Sequence, residues 1–169
     1  YAHARLRSRS RAAIRHPFIL WWSTIKLMEQ ETTEAQLRIG LVTDLHYAPI
    51  TVGSRFFSES LIKLKAAVDV LATRQLDLVV FLGDVIDKSP TVEAGLECIK
   101  EVSDALGIID EPKHFVLGNH DVSELTKEQF LDAVGAKASY YSFDRNGIHI
   151  AILDSNFNPD GSSFAPGNF

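Results

Sequence analysis

The sequence predicts an α/β fold built on a short parallel sheet. Three observations lead there. Short apolar runs alternate with segments of helical period through the middle of the chain. Two later apolar runs flank an Asn-Gly pair. A chain of 169 residues that is 46% hydrophobic and 23% charged has the length of one domain and enough apolar material for a packed core.

The first strand is expected at Arg38–Thr43, an apolar run that ends in a polar cluster and so reads as a buried strand entering a loop. Residues 58–74 place Leu61, Leu64, Ala67, Val68 and Leu71 at helical spacing, with Ser58 as the candidate N-cap. Leu76–Leu82 is a second buried strand. A second helix is expected over 91–106, opened by Pro90 and Thr91 and closed by Gly107. His114–Leu117 is a third strand, and 126–134 a short helix with Thr126 near its cap. Strand, helix, strand, helix, strand is the pattern of a parallel βαβαβ sheet with crossover helices. The pattern then changes. Tyr140–Phe143 and Ile148–Leu153 flank Asn146-Gly147, a strong hairpin signal, because both turn residues tolerate positive φ.

The net charge of −5 is unevenly spread. Residues 1–28 hold six bases and no acid, so 22 acids and 11 bases lie beyond them and give that part −11. Three readings fit the basic leader, residues 1–36: a patch for nucleic acid or a membrane surface, a transit peptide, or sequence upstream of a natural start at Met28, the sole methionine. We favour the last, which puts the domain at 37–169 and leaves neither nucleic acid nor membrane specifically indicated. The run Phe18–Trp22 is too short to span a bilayer, and a cytoplasmic location is expected. Cys98 is the only cysteine, which excludes an internal disulfide and a Cys-rich zinc site; it reads as a small buried residue.

Each expected strand of the parallel sheet ends in a polar cluster: Asp44-Leu45-His46, Gly83-Asp84-Val85-Ile86-Asp87 and Gly118-Asn119-His120-Asp121. Ligands of open parallel sheets bind outside the carboxyl ends of the strands, so these clusters should converge. Carboxylates, imidazoles and a carboxamide suit Mn, Fe or Zn. A carboxylate can bridge two cations, and a metal pair polarises phosphoryl oxygens and acidifies bound water. Glycine before a ligand lets the backbone turn sharply beside the metals. Singly, each cluster is explained as well by a polar turn. Their joint occurrence, in order and each at a strand end, is what points to a metal centre.

These three blocks resemble the first signature blocks of the calcineurin-like metallophosphoesterases over about residues 38–156. The resemblance implies part of a four-layer αββα sandwich and two divalent or trivalent metal ions. Asp44 and His46 would bind the first metal, Asp84 would bridge both, and Asn119 would bind the second. His120 would be general acid or stabiliser of the transition state, with Asp87 holding its imidazole and Asp121 supporting the site from behind. The substrate would be a small phosphorylated or nucleotide-like molecule, hydrolysed at a phosphate ester or phosphoanhydride. The stretch Asp44–Ala48 with Arg55-Phe56-Phe57 and Ser60-Leu61 is similar to the manganese-dependent ADP-ribose/CDP-alcohol diphosphatase subgroup, which favours manganese and gives Arg55 a substrate phosphate to meet. His46 departs from that subgroup, which often has Gln there. Asp87 departs from the purple acid phosphatases, which place a metal-bound Tyr at that position.

The family also carries a lone His and a Gly-His-x-His that supply further ligands, and nothing after His120 matches them. The chain therefore reads as the N-terminal part of such a domain, ending in the loop Ser162–Phe169. The competing function is an inactive relative or binding scaffold; the intact set Asp44, His46, Asp84, Asn119 and His120 speaks against it for the parent protein. A metal-free nucleotide-binding domain ranks lower, because no Gly-rich phosphate loop follows a strand. His149, flanked by Ile148 and Ile150, is expected to face away from the apolar side of its strand, and His114 to serve at the surface or as a cap.

Overall fold

A computed structural model describes residues 36–164 and 166–167; the leader before Gln36 lies outside the described residues. Strand β1 (Ile39–Val42) pairs in parallel with β2 (Leu78–Phe81), and β2 in parallel with β3 (Lys113–Phe115), in the order β1-β2-β3. The register sets Val42, Phe81 and Phe115 side by side. The three loops that follow therefore leave from one edge of the sheet, which is the geometry that concentrates ligands at strand ends.

The strand β2 is buried along its whole length because it faces two cores. Alternate residues of a strand point to opposite faces. Val79 and Phe81 join the core beneath the helices, with Leu64, Val68, Ile99, Val102 and Phe130. Leu78 and Val80 join a smaller core on the other face, with Ile152, Tyr141, Phe143 and Ile150 of the hairpin. Helices thus cover one face of the sheet and the hairpin the other, which explains an unbroken apolar run rather than an alternating one.

Helix α1 spans Glu59–Leu71, α2 Val92–Ala105 and α3 Lys127–Val134. Ser58 does not cap α1: its own φ and ψ are helical and its side chain makes no capping bond, since the turn beginning at Phe56 leads straight into the helix. Thr91 does cap α2, its hydroxyl accepting from the Ala94 N–H at 3.2 Å, an interaction worth about 1 kcal/mol. Gly107 does not end that helix. A 3-10 turn, Leu106–Ile108, carries the chain on, because Leu106, its first residue, and Ile109, just after it, are both buried in the helix-side core. Thr126 opens α3 with a reciprocal capping box to Gln129.

The hairpin is β4 (Tyr141–Arg145) and β5 (Ile148–Ile152), antiparallel. Asn146 and Gly147 have φ of 51° and 76°, as a two-residue turn of right-handed strands requires. The Asn146 amide also donates to the Gln36 carbonyl at 3.1 Å and to Asp77 at 2.8 Å, which ties the turn to the start of β1 and β2. His149 is exposed on β5 and bonded to Asp144 at 2.8 Å, away from the apolar side as expected. His114 is half-buried rather than fully at the surface, and it packs instead of capping. Its ring stacks on Phe143 at 4.1 Å and meets the Tyr141 hydroxyl at 2.8 Å, and burial holds its pKa below the ordinary histidine range. Cys98 is buried in the helix-side core. Among the described residues no helix is long and apolar enough to cross a membrane.

Candidate metal centre

The strand-end loops are held together by continuing the sheet's own hydrogen bonding. Past β1 and β2, the N–H groups of Asp44, His46 and Tyr47 donate to the carbonyls of Gly83, Asp84 and Val85 at 3.2, 2.8 and 3.1 Å, and Asp87 donates back to Tyr47 at 3.0 Å. Within this ladder Asp44, His46 and Asp84 adopt φ of 51°, 46° and 51°. Left-handed backbone at a residue other than glycine costs about 1–3 kcal/mol and persists where surrounding structure enforces it. Here it turns three polar side chains toward one point.

Glycine is required where the second and third loops touch. A Cβ on Gly118 would land on the Asp84 backbone nitrogen and carboxylate, and one on Gly83 would lie 2.8 Å from the Gly118 Cα. The backbones approach closely enough for the His120 N–H to donate to Asp84 Oδ1 at 3.0 Å. Behind them sits the carboxylate of Asp121, fully buried. Its Oδ1 accepts from the Val85 and Ile86 N–H groups at 2.8 and 3.2 Å, and its Oδ2 from Gly118 at 2.9 Å. Asp121 therefore straps the second loop to the third. Desolvation pushes its pKa up to about 7, against the three backbone N–H groups that favour the ionised form.

Two groups of donor atoms result. Ligand atoms of Asp44, His46 and Asp84 lie within 4.8 Å of one another, as do those of His46, Asp87 and His120. The His46 Nε2 is 3.5 Å from Asp84 Oδ2 and 3.8 Å from Asp44 Oδ1. Its Nδ1 is 2.9 Å from Asp87 Oδ2, and the same oxygen is 3.7 Å from His120 Nδ1. The two imidazoles meet edge to face, centroids 4.6 Å apart. The shorter contact of Asp87 is thus with His46, and the sequence alone gives no sign of it, because the two residues belong to different loops. Asn119 is exposed, at the start of the short 3-10 turn His120–Val122. Thr43, not singled out in the sequence, donates its hydroxyl to Asp44 Oδ2 at 2.5 Å. A carboxylate pair and an imidazole arranged this way are hard-to-borderline donors suited to a divalent cation.

The centre opens into a cavity of about 320 Å³ lined by His46, Arg55, Phe57, Asp84, Asp87 and His120. Arg55 comes from the loop between β1 and α1 and supplies the guanidinium among these lining residues.

The profile of the calcineurin-like phosphoesterases matches residues 37–166. Among solved structures, a dimetal phosphatase from Danio rerio is similar at 25% identity and a TM-score of 0.49, over 56% of this chain and 32% of that one. The chain thus spans about a third of that structure's length. No curated protein matches it. With the profile covering well over half of the sequence, the chain belongs to the calcineurin-like phosphoesterase family.

Proposed function

We propose that this chain carries the metal-binding half of a phosphoesterase that hydrolyses small phosphorylated substrates. Asp44 and His46 would hold one divalent cation, Asp84 would be shared with a second, and Asn119 would contribute from the third loop. Manganese is favoured on the subgroup resemblance. Bound there, such a pair supplies Lewis acidity, polarising phosphoryl oxygens and acidifying water. The observation that most supports the assignment is the convergence of Asp44, His46 and Asp84 from two separate strand ends to within 4.8 Å.

The chain's own residues divide the remaining work. A proton on His46 Nδ1, given to Asp87 at 2.9 Å, leaves Nε2 bare toward Asp44 and Asp84, the tautomer a cation needs. Asp87 is therefore a positioning residue for His46 first and for His120 second. His120, at the wall of the cavity, delivers a proton to the departing oxygen or stabilises the charge that develops there. Arg55 meets an unesterified phosphate oxygen.

Metal content of purified variants tests the assignment. Asp84→Asn should bring bound manganese toward zero, because a bridging carboxylate serves both ions, whereas His46→Asn should lose it only in part. Full and equal occupancy in both variants overturns the bridging role.

A further inference from the structure

Strand β3 closes one side of the three-stranded sheet, and among the described residues no strand lies along its outer edge. The register fixes which of its groups face that edge. Val79 donates to the Pro112 carbonyl at 2.9 Å, and Val116 to the Phe81 carbonyl at 2.8 Å. Backbone groups of a strand turn alternately to its two sides, so His114 directs its N–H and C=O to β2, while Lys113, Phe115 and Leu117 direct theirs outward.

The fold covers only part of this edge. The Leu117 carbonyl accepts from the Asn156 side-chain amide at 2.9 Å. Lys113 and Phe115 have no such cover: among the described residues, their outward N–H and C=O groups meet no hydrogen-bond partner. Phe115 is nevertheless buried. Backbone donors and acceptors withdrawn from bulk water without partners are costly, and native chains rarely leave them so. An open edge of this kind is a template for another strand.

A groove of about 400 Å³ runs beside these groups. Lys113, His114 and Phe115 form one wall, and Val134–Ala138, the end of α3 and the turn after it, form the other. Gly135, Ala136 and Ala138 are small, and even a Cβ on Gly135 would meet nothing within 4 Å. Lys113 and Lys137 line the groove, and among the described residues no carboxylate does. That charge suits an acidic segment. It disfavours a second copy of the chain, which would bring the same lysines against these. The groove shares no lining residue with the metal cavity.

We propose that the outer edge of β3 is a docking site for an extended acidic segment of a partner protein, which joins the sheet as its next strand. The Lys113 and Phe115 N–H groups donate to the segment and their carbonyls accept from it. Apolar side chains of the segment pack on Val134 and Ala136, and its carboxylates meet Lys113 and Lys137. No metal ion takes part.

Titration of the full chain, without added metal, with the blocked pentapeptide Glu-Val-Thr-Val-Glu tests this. The peptide should bind with a dissociation constant below about 1 mM, and its Lys-Val-Thr-Val-Lys counterpart about tenfold or more weakly. Two N-methylated versions of the acidic peptide block alternate amides. An added strand faces β3 with one alternate set, so one version should lose about tenfold or more while the other stays within about threefold of the parent. Amide exchange of Lys113 and Phe115 should slow on binding, and that of His114, already bonded to β2, should not change. Lys137→Glu, at an exposed position, should weaken the acidic peptide about threefold or more and strengthen the lysine one. No binding at millimolar peptide, equal loss in both methylated versions, or indifference to charge overturns the proposal. So does a chain that dimerises with the Lys113 and Phe115 amides protected before peptide is added, because a second copy is then the occupant.

Discussion

Asp84 is the residue on which several local constraints meet. Its backbone is left-handed, its carboxylate abuts Gly118, and it accepts the His120 N–H at 3.0 Å. His120 is thus held through its backbone by one candidate ligand, and its ring nitrogen Nδ1 lies 3.7 Å from Asp87 Oδ2. This makes proton delivery separable from metal binding. In an active protein containing this chain, His120→Ala should retain its metal and slow turnover by roughly 10²–10⁴, the usual scale for losing acid–base catalysis. The loss should be larger for an alkyl phosphate than for p-nitrophenyl phosphate, since an alkoxide needs a proton to leave and a nitrophenolate does not. Turnover of the paired substrates, alongside elemental analysis, checks this. Loss of metal would make His120 a ligand, and equal slowing would make it a charge stabiliser.

Between elements, the stitching past the hairpin has a cost that pH exposes. Lys127, the first residue of α3, reaches Asp154 just beyond β5 at 2.6 Å, with both side chains buried, and its ammonium lies 3.6 Å from the centre of the Phe157 ring. Asn156 continues the tether to the Leu117 carbonyl at 2.9 Å, directly before the third loop of the site. Burial by itself raises the Asp154 pKa, but Lys127, the Asn156 N–H and Ser139 together hold it below the ordinary carboxylate range. Lys127→Met should therefore destabilise by about 3–5 kcal/mol, because a buried charge loses its partner, while Lys127→Met/Asp154→Leu should recover most of the loss. A carboxyl whose folded pKa is depressed contributes stability above its unfolded pKa of about 3.9 and loses it as pH falls through the lower folded value. Urea unfolding at pH 7 and below pH 4 should thus show the gap between parent and Lys127→Met narrowing in acid. A gap that stays constant would show that the cost of losing Lys127 is packing alone.

The same scale shows what the sequence can disclose. The three site blocks are legible because each packs its chemistry into a few consecutive residues after an apolar run. Thr126 and Asn146-Gly147 are legible because capping and turn chemistry are local. The failures are tertiary. Ser58 has the right side chain for a cap, but the preceding turn already sets it in helical backbone. His114 is polar in sequence and becomes a packing residue only when the hairpin folds over it. The link from Asp87 to His46 depends on an irregular loop, which has no periodicity to read.

For the molecule as a whole, the leader is the part for which we propose no role in the fold. A protein beginning at Met28 should keep the thermal midpoint of the full chain. A fall of several degrees, corresponding to about 1 kcal/mol in a domain of this size, would mean that residues 1–27 pack on it. The strand β2 has a wider consequence. Its residues are the seam between the helix-side and hairpin-side cores, and the loop at its end carries Asp84 and Asp87. Loosening either core therefore disturbs the donor set, and by reciprocity any cation gripped there resists the loosening of both. A ligand that binds only the folded chain adds about 2.7 kcal/mol at a free concentration a hundred times its dissociation constant. On the proposed metal assignment, metal supply in the surroundings would be a thermodynamic variable of the fold itself, and a chain starved of cations would be one whose two cores come apart more readily together.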